Sequence, residues 1–114
     1  MFDFEKLSVY QKAKDYNKTI LTLLEKNHFN KVVDNQLRRA SFSIMLNIAE
    51  GSGRLTKPDK RNFYVIARGS VFECVAILDY LNDSAEIGEI QFRSFYKTLE
   101  ELSKMLHALI RGLG

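Results

Sequence analysis

At 114 residues with a formal net charge of +3, the chain has the size of one ordinary domain, long enough to bury a core without a metal or disulfide framework. Its single cysteine, Cys74, cannot form an internal disulfide, so a reducing, cytoplasmic setting is the expectation. No apolar run reaches the roughly 18 residues of a membrane span, and MFDFEKLSVY lacks the apolar centre of an export signal, so neither insertion nor secretion is expected.

One proline and six glycines leave little material for turns, which points to an all-α chain. Charge is spread unevenly along it. Residues 31–68 hold eight Lys or Arg against three acids, whereas residues 69–114 hold four against seven. A polyanion partner is therefore expected at the second helix and the loop after it, although a solvated helical surface varies this much without binding anything.

Ser8 and Gln11 have the spacing of a capping box, which starts helix 1 near Val9. Val9, Ala13, Tyr16, Ile20, Leu23 and Leu24 then form one stripe, and the pattern fades at Asn27. Phe2, Phe4 and Leu7 precede it as an apolar lead-in expected to pack over the end of a bundle.

Helix 2 is expected over residues 31–52, ended by Gly51-Ser-Gly53, residues that tolerate the left-handed backbone of a C-cap. Wound at about 100° per residue, Val33, Leu37, Ala40, Ile44 and Ile48 form its core stripe. Phe42, Met45, Leu46 and Ala49 form a second apolar arc, separated from the first by the polar ridge Gln36, Arg39, Ser43, Asn47 and Glu50. A helix apolar on two sides is buried on two sides. In so short a chain, the second side is expected to meet another copy of the chain.

Thr56 is the best cap for helix 3, with Lys57, Pro58 and Asp59 in its first turn. The helix is expected over residues 57–82, with Phe63, Ile66, Ala67, Ser70, Cys74, Ile77, Leu78 and Leu81 as its core stripe. Val65, Phe72 and Ala76 lie on the far side, again more apolar surface than a lone bundle needs. Helix 4, over residues 89–111, keeps Phe92, Phe95, Leu99, Leu102, Leu106, Leu109 and Leu113 in near-heptad register. Short connections between long helices favour an antiparallel up-down-up-down four-helix bundle. The expected interface between copies comprises Phe42, Met45, Leu46, Ala49, Val65 and Phe72.

The stretches FEKLSVYQKA at 4–13, QLRRASFSIMLNIAEGSGR at 36–54 and ARGSVFE at 67–73 resemble the 23S ribosomal RNA intervening-sequence proteins. The Arg-Arg pair followed by Asn-Ile-Ala-Glu-Gly is the specific element, and the resemblance spans nearly the whole chain. It implies a left-handed bundle that assembles as a ring, typically a homopentamer. The similar accessory proteins of diversity-generating retroelements form pentameric barrels and bind RNA and a reverse transcriptase through a basic surface. Family members often carry Trp at the place of Tyr10 and Pro at the place of Met45, and Met45 suggests a straighter helix 2 here. The family name records a gene location and does not establish a ribosomal role.

Arg39, Asn47 and Glu50, with Ser70 and Glu73, can form a network if helices 2 and 3 face each other. In the structural reading Arg39 pairs with Glu50 or Glu73 and fixes register; in the catalytic one the two carboxylates share a proton or a metal. Nearby guanidinium groups favour the structural version. Glu25 and His28 match the Glu-x-x-His element of di-iron bundles, but that site needs a second copy and further glutamates. Cys74 reads as a small core residue, no catalytic triad can be assembled, and Glu50-Gly-Ser-Gly-Arg54 lacks the ending of a phosphate loop.

No enzyme, cofactor or metal site is therefore expected. The N-terminus of helix 3 brings free N–H groups beside Arg54, Lys57, Lys60 and Arg61, a reasonable place for an anion; Arg68 projects from the same side as Arg61, and Arg38 either extends the patch or salt-bridges to a neighbour. Phe63 and Tyr64 are the only aromatics within that cluster and read as core, so base-specific readout is not expected. The leading expectation is an RNA-associated oligomer. The alternative is an adaptor ring for a partner enzyme, without nucleic-acid contact.

Overall fold

A computed structural model describes residues 1–114. A 3-10 turn at Asp3–Lys6 precedes four helices, α1 Ser8–Lys26, α2 Lys31–Ser52, α3 Lys57–Asp83 and α4 Glu89–Arg111. There are no strands, and the four helices bundle around one cluster of 20 buried residues. No helix is long and apolar enough to cross a membrane.

The core follows from helical periodicity. On α1 the buried apolar residues are Val9, Ala13, Tyr16, Ile20, Leu23 and Leu24; on α4 they are Phe95, Leu99, Leu102 and Leu106. Although Ile90 and Tyr96 of α4 stay exposed, both helices turn these stripes inward. Leu37, Ala40, Ile44 and Ile48 do the same for α2.

The core face of α3 is Tyr64, Ala67, Ser70, Val71, Cys74, Leu78 and Leu81, a correction to the stripe read from sequence. Ile66 is exposed, and Phe63 and Ile77 are half-buried. Apolar residues occupy most of the α3 circumference, so the pattern alone leaves the inward direction undetermined by tens of degrees. Packing selects Val71 instead of Ile66.

Three end signals also differ from expectation. α1 begins at Ser8 with Leu7 as its cap, and no side chain caps it; Gln11 Nε2 instead donates to the Glu5 carbonyl at 3.0 Å. Phe2 stays exposed, while Phe4 meets the Tyr10 ring edge-on at 4.7 Å. α2 ends at Gly53 in right-handed backbone, at φ −86°, so no left-handed C-cap forms there. Its last carbonyls accept the Gly53 N–H and, at Ser52, the Lys60 ammonium at 2.8 Å. Thr56 does cap α3, its Oγ1 accepting from the Asp59 N–H at 3.3 Å.

The α2/α3 seam positions the surface of interest. Ser43 and Ser70 hydroxyls share a hydrogen bond of 3.0 Å, and Gly51 abuts the Tyr64 ring. Contacts thus step from Ser43 to Gly51 along α2 while stepping back from Ser70 to Tyr64 along α3. Between α1 and α2, Ser41 donates to Asn17 at 2.7 Å inside the core. Between α1 and α4, Lys12 pairs with Glu101, and that ammonium holds the Glu101 carboxyl below its usual range.

Candidate interaction surfaces

Large apolar side chains reach solvent on the two middle helices. On α2, Phe42 is 48% and Leu46 44% exposed; on α3, Val65 is 51% and Phe72 54% exposed. Met45 and Ala49 are half-buried, and Met45 packs against the core of its own chain. The second arc of α2 therefore divides into an outward ridge, Phe42 and Leu46, and a flank held within the bundle.

The basic residues at the α2–α3 connection are gathered but mostly engaged. Arg54 pairs with Glu50 at 3.0 Å and lies 4.4 Å from the centre of the Phe63 ring. Lys60 holds Ser52 O, and Arg61 donates to Gly114 O at 3.1 Å. Arg38 is not at the connection: it lies near the start of α2, roughly 20 Å along the helix from its end, and pairs there with Asp34 at 3.1 Å. Arg68 stacks over Phe72 at 4.8 Å, with its Nε enclosed and unpartnered. Among the basic residues of the connection itself, Lys57 is the one exposed without an acceptor.

Residues expected to form one polar network separate into three groups. Asn47 Nδ2 donates to both the carbonyl and the hydroxyl of Ser43 at 2.9 Å, and Ser43 bonds Ser70. Arg39 and Glu73 line a small cavity of about 230 Å³ with Gln36, Ser43 and Ser70 but form no ion pair. Glu50 turns to Arg54, four residues on in the same helix, so the pairing of Arg39 with Glu50 or Glu73 is not made. At an exposed site a partner one turn away reaches a carboxylate more readily than one on another helix. Ser43, which is in the ridge read from sequence but outside the expected network, is its actual link.

Two clefts flank these elements. One of about 860 Å³ separates α1 from the start of α4 and is lined by polar residues such as Asp15, Thr19, Ser94 and Thr98. The other, about 420 Å³, runs between α3 and α4 over Phe72, Val75, Phe92 and Tyr96. No three His, Cys, Asp or Glu residues converge as a metal site. Cys74 is buried, and burial pushes its thiol up to about 12 despite the neighbouring Tyr16 hydroxyl. A thiol held protonated is a poor nucleophile.

The family model of the 23S rRNA-intervening sequence protein matches residues 5–108. Among solved structures, a protein of unknown function from the S23 ribosomal protein family of Bacteroides thetaiotaomicron superposes with a TM-score of 0.86 at 25% identity. The match covers 90% of this chain and 97% of that one. No curated protein is significantly similar in sequence.

Proposed function

We propose that this chain, which belongs to the 23S rRNA-intervening sequence protein family, is a non-catalytic, self-assembling bundle that contacts RNA through the α2–α3 junction. In this reading the bundle is antiparallel, up-down-up-down and left-handed, and copies close into a homo-oligomeric ring, a pentamer by family resemblance. The backward stepping of contacts from Ser70 to Tyr64 supports the direction of α3, and the exposed Phe42, Leu46, Val65 and Phe72 support assembly. The protein acts in the cytoplasm.

The basic junction carries the RNA assignment. Arg54, Lys57, Lys60 and Arg61 lie within one connection and the first turn or two of α3. Arg54 is engaged by Glu50, but both side chains are largely exposed, and an exposed pair contributes about 0–1 kcal/mol. A phosphate can therefore take the place of the Glu50 carboxylate. A ring repeats the junction around its axis, so a modest cluster becomes a sizeable cationic surface whose affinity falls steeply with salt.

The adaptor reading is favoured by a different observation: Arg38, Arg54, Lys60 and Arg61 already have acceptors in their own chain. RNA binding measured at two salt concentrations separates the two. Wild-type protein is expected to bind at low salt, and Arg54→Ala/Lys60→Ala/Arg61→Ala protein to bind more weakly with a flatter salt dependence. No binding at low salt, or binding unchanged in the triple variant, removes the RNA reading.

A further inference from the structure

We infer that the apolar cleft between α3 and α4 is the socket for the α2 ridge of a second copy, so that chains join ridge into cleft, front to back. This rests on the self-assembly in the reading above and specifies which surfaces meet. The ridge consists of Phe42 and Leu46, one turn apart on the same outward side of α2. The cleft, about 420 Å³, presents Phe72, Val75, Phe92 and Tyr96 as apolar lining. Both surfaces are therefore apolar and open in the single chain.

Charge identifies the occupant. Beside the ridge, Arg39 sits one turn before Phe42, exposed and without an acidic partner in its own chain. The cleft is lined by Asp79 and Glu100, also exposed and unpaired, against the single base Lys104. Opposite charges left over at the edges of two apolar surfaces complement each other when those surfaces meet, and set orientation as well as rate of encounter. The same asymmetry holds at larger scale, since residues 31–68 are net basic and residues 69–114 net acidic. A cleft on one helix pair and a ridge on another are different patches, so the contact is heterologous and propagates until a ring closes.

The test uses two variants at exposed positions. Phe42→Glu disables the ridge and leaves the cleft; Ala76→Glu, on the cleft lining, disables the cleft and leaves the ridge. Circular dichroism first verifies that each remains helical. By light scattering, wild-type protein is expected as an oligomer and each variant alone as a monomer, while a mixture of the two gives a dimer containing one of each. An interface of matched patches behaves differently: ridge against ridge would leave Ala76→Glu assembled by itself and cleft against cleft would leave Phe42→Glu so, and either result overturns the assignment. Arg39→Glu should likewise dissociate wild-type oligomers, and Asp79→Arg/Glu100→Arg in the same chain should restore them.

Wild-type protein that is itself monomeric overturns both the assembly reading and this one. An oligomeric wild type whose mass is unchanged in Phe42→Glu and Ala76→Glu overturns the ridge-and-cleft assignment alone. So does a mixture that stays monomeric.

Discussion

Gly51 on α2 lies so close to Tyr64 on α3 that a Cβ placed on it would stand 2.6 Å from Cε1 and 2.9 Å from Cδ1 of the ring. The Tyr64 ring is buried, and the Phe63 Cβ stands 3.1 Å away on the same side, so the added methyl has nowhere to go without shifting the seam. Overpacking of this kind costs about 1–3 kcal/mol. Alanine recovers up to about 1 kcal/mol through its better helix propensity. Gly51→Ala is therefore expected to lose about 1–2 kcal/mol in urea denaturation, and in a Tyr64→Ala background the same change should become neutral or stabilising. Equal stability of Gly51→Ala and the parent protein would show that the seam gives way freely.

How much was legible in the sequence depends on how many sides of a helix are apolar. Val9, Ala13, Tyr16 and Ile20 leave α1 one way to face, and Phe95, Leu99, Leu102 and Leu106 set the inward side of α4, although Ile90 and Tyr96 keep apolar surface on its outside. On α3 the exposed Ile66 and the buried Val71 have equal claim by pattern, and only the neighbouring helices choose between them. Gly51 reads as a helix terminator because glycine often is one, whereas its reason for being small is a ring on the next helix. The basic cluster was visible as composition. Which cations are engaged was not, since that depends on acceptors such as Ser52 O and Gly114 O, and backbone groups leave no mark in a charge count.

The pairing of Ser41 with Asn17 is a buried bond between α1 and α2, 2.7 Å long, surrounded by apolar side chains. Neither residue stands out in sequence, because a single polar position on an apolar stripe resembles ordinary variation. Asn17→Ala strands the Ser41 hydroxyl, and an unsatisfied buried group costs about 1–3 kcal/mol. Removing the hydroxyl as well should return part of that loss, so Asn17→Ala/Ser41→Ala is expected to be less destabilised than the two single losses added together. Strict additivity in the double-mutant cycle would mean that the bond contributes nothing.

The α2–α3 connection is held from both ends, by Thr56 capping α3 and by Lys60 holding the Ser52 carbonyl of α2. Thr56→Ala leaves the Asp59 N–H without its acceptor, and loss of such a cap costs about 0.5–2 kcal/mol. Hydrogen exchange should quicken first at the start of α3, while amides in the middle of α2 speed up no more than the global loss of stability dictates. Uniform acceleration along the whole chain would place the role of Thr56 elsewhere than in the cap.

Cys74 gives the protein a predictable alkaline weakness. Burial raises the folded-state thiol from its ordinary 9.0 to about 12, with the nearby Glu73 charge adding to the effect and the Tyr16 hydroxyl opposing it. Below the ordinary value both folded and unfolded chains keep the proton, and the thiol makes no pH-dependent contribution. Above it the unfolded chain loses the proton while the folded chain retains it, so stability falls as pH rises, by about 1.4 kcal/mol per pH unit for one such group. Tyr16, raised above its ordinary 10.0 chiefly by its own burial, adds a second loss at higher pH. Urea midpoints taken at pH 8 and pH 10 should therefore drop for the parent protein and drop less for Cys74→Ala, which is less stable at neutral pH but has no thiol to ionise. A thiol reagent at pH 8 should label native protein only at the rate of its unfolding, since the sulfur is both enclosed and protonated. Parallel pH profiles in the two proteins, or rapid labelling of the folded one, would place that sulfur in contact with water.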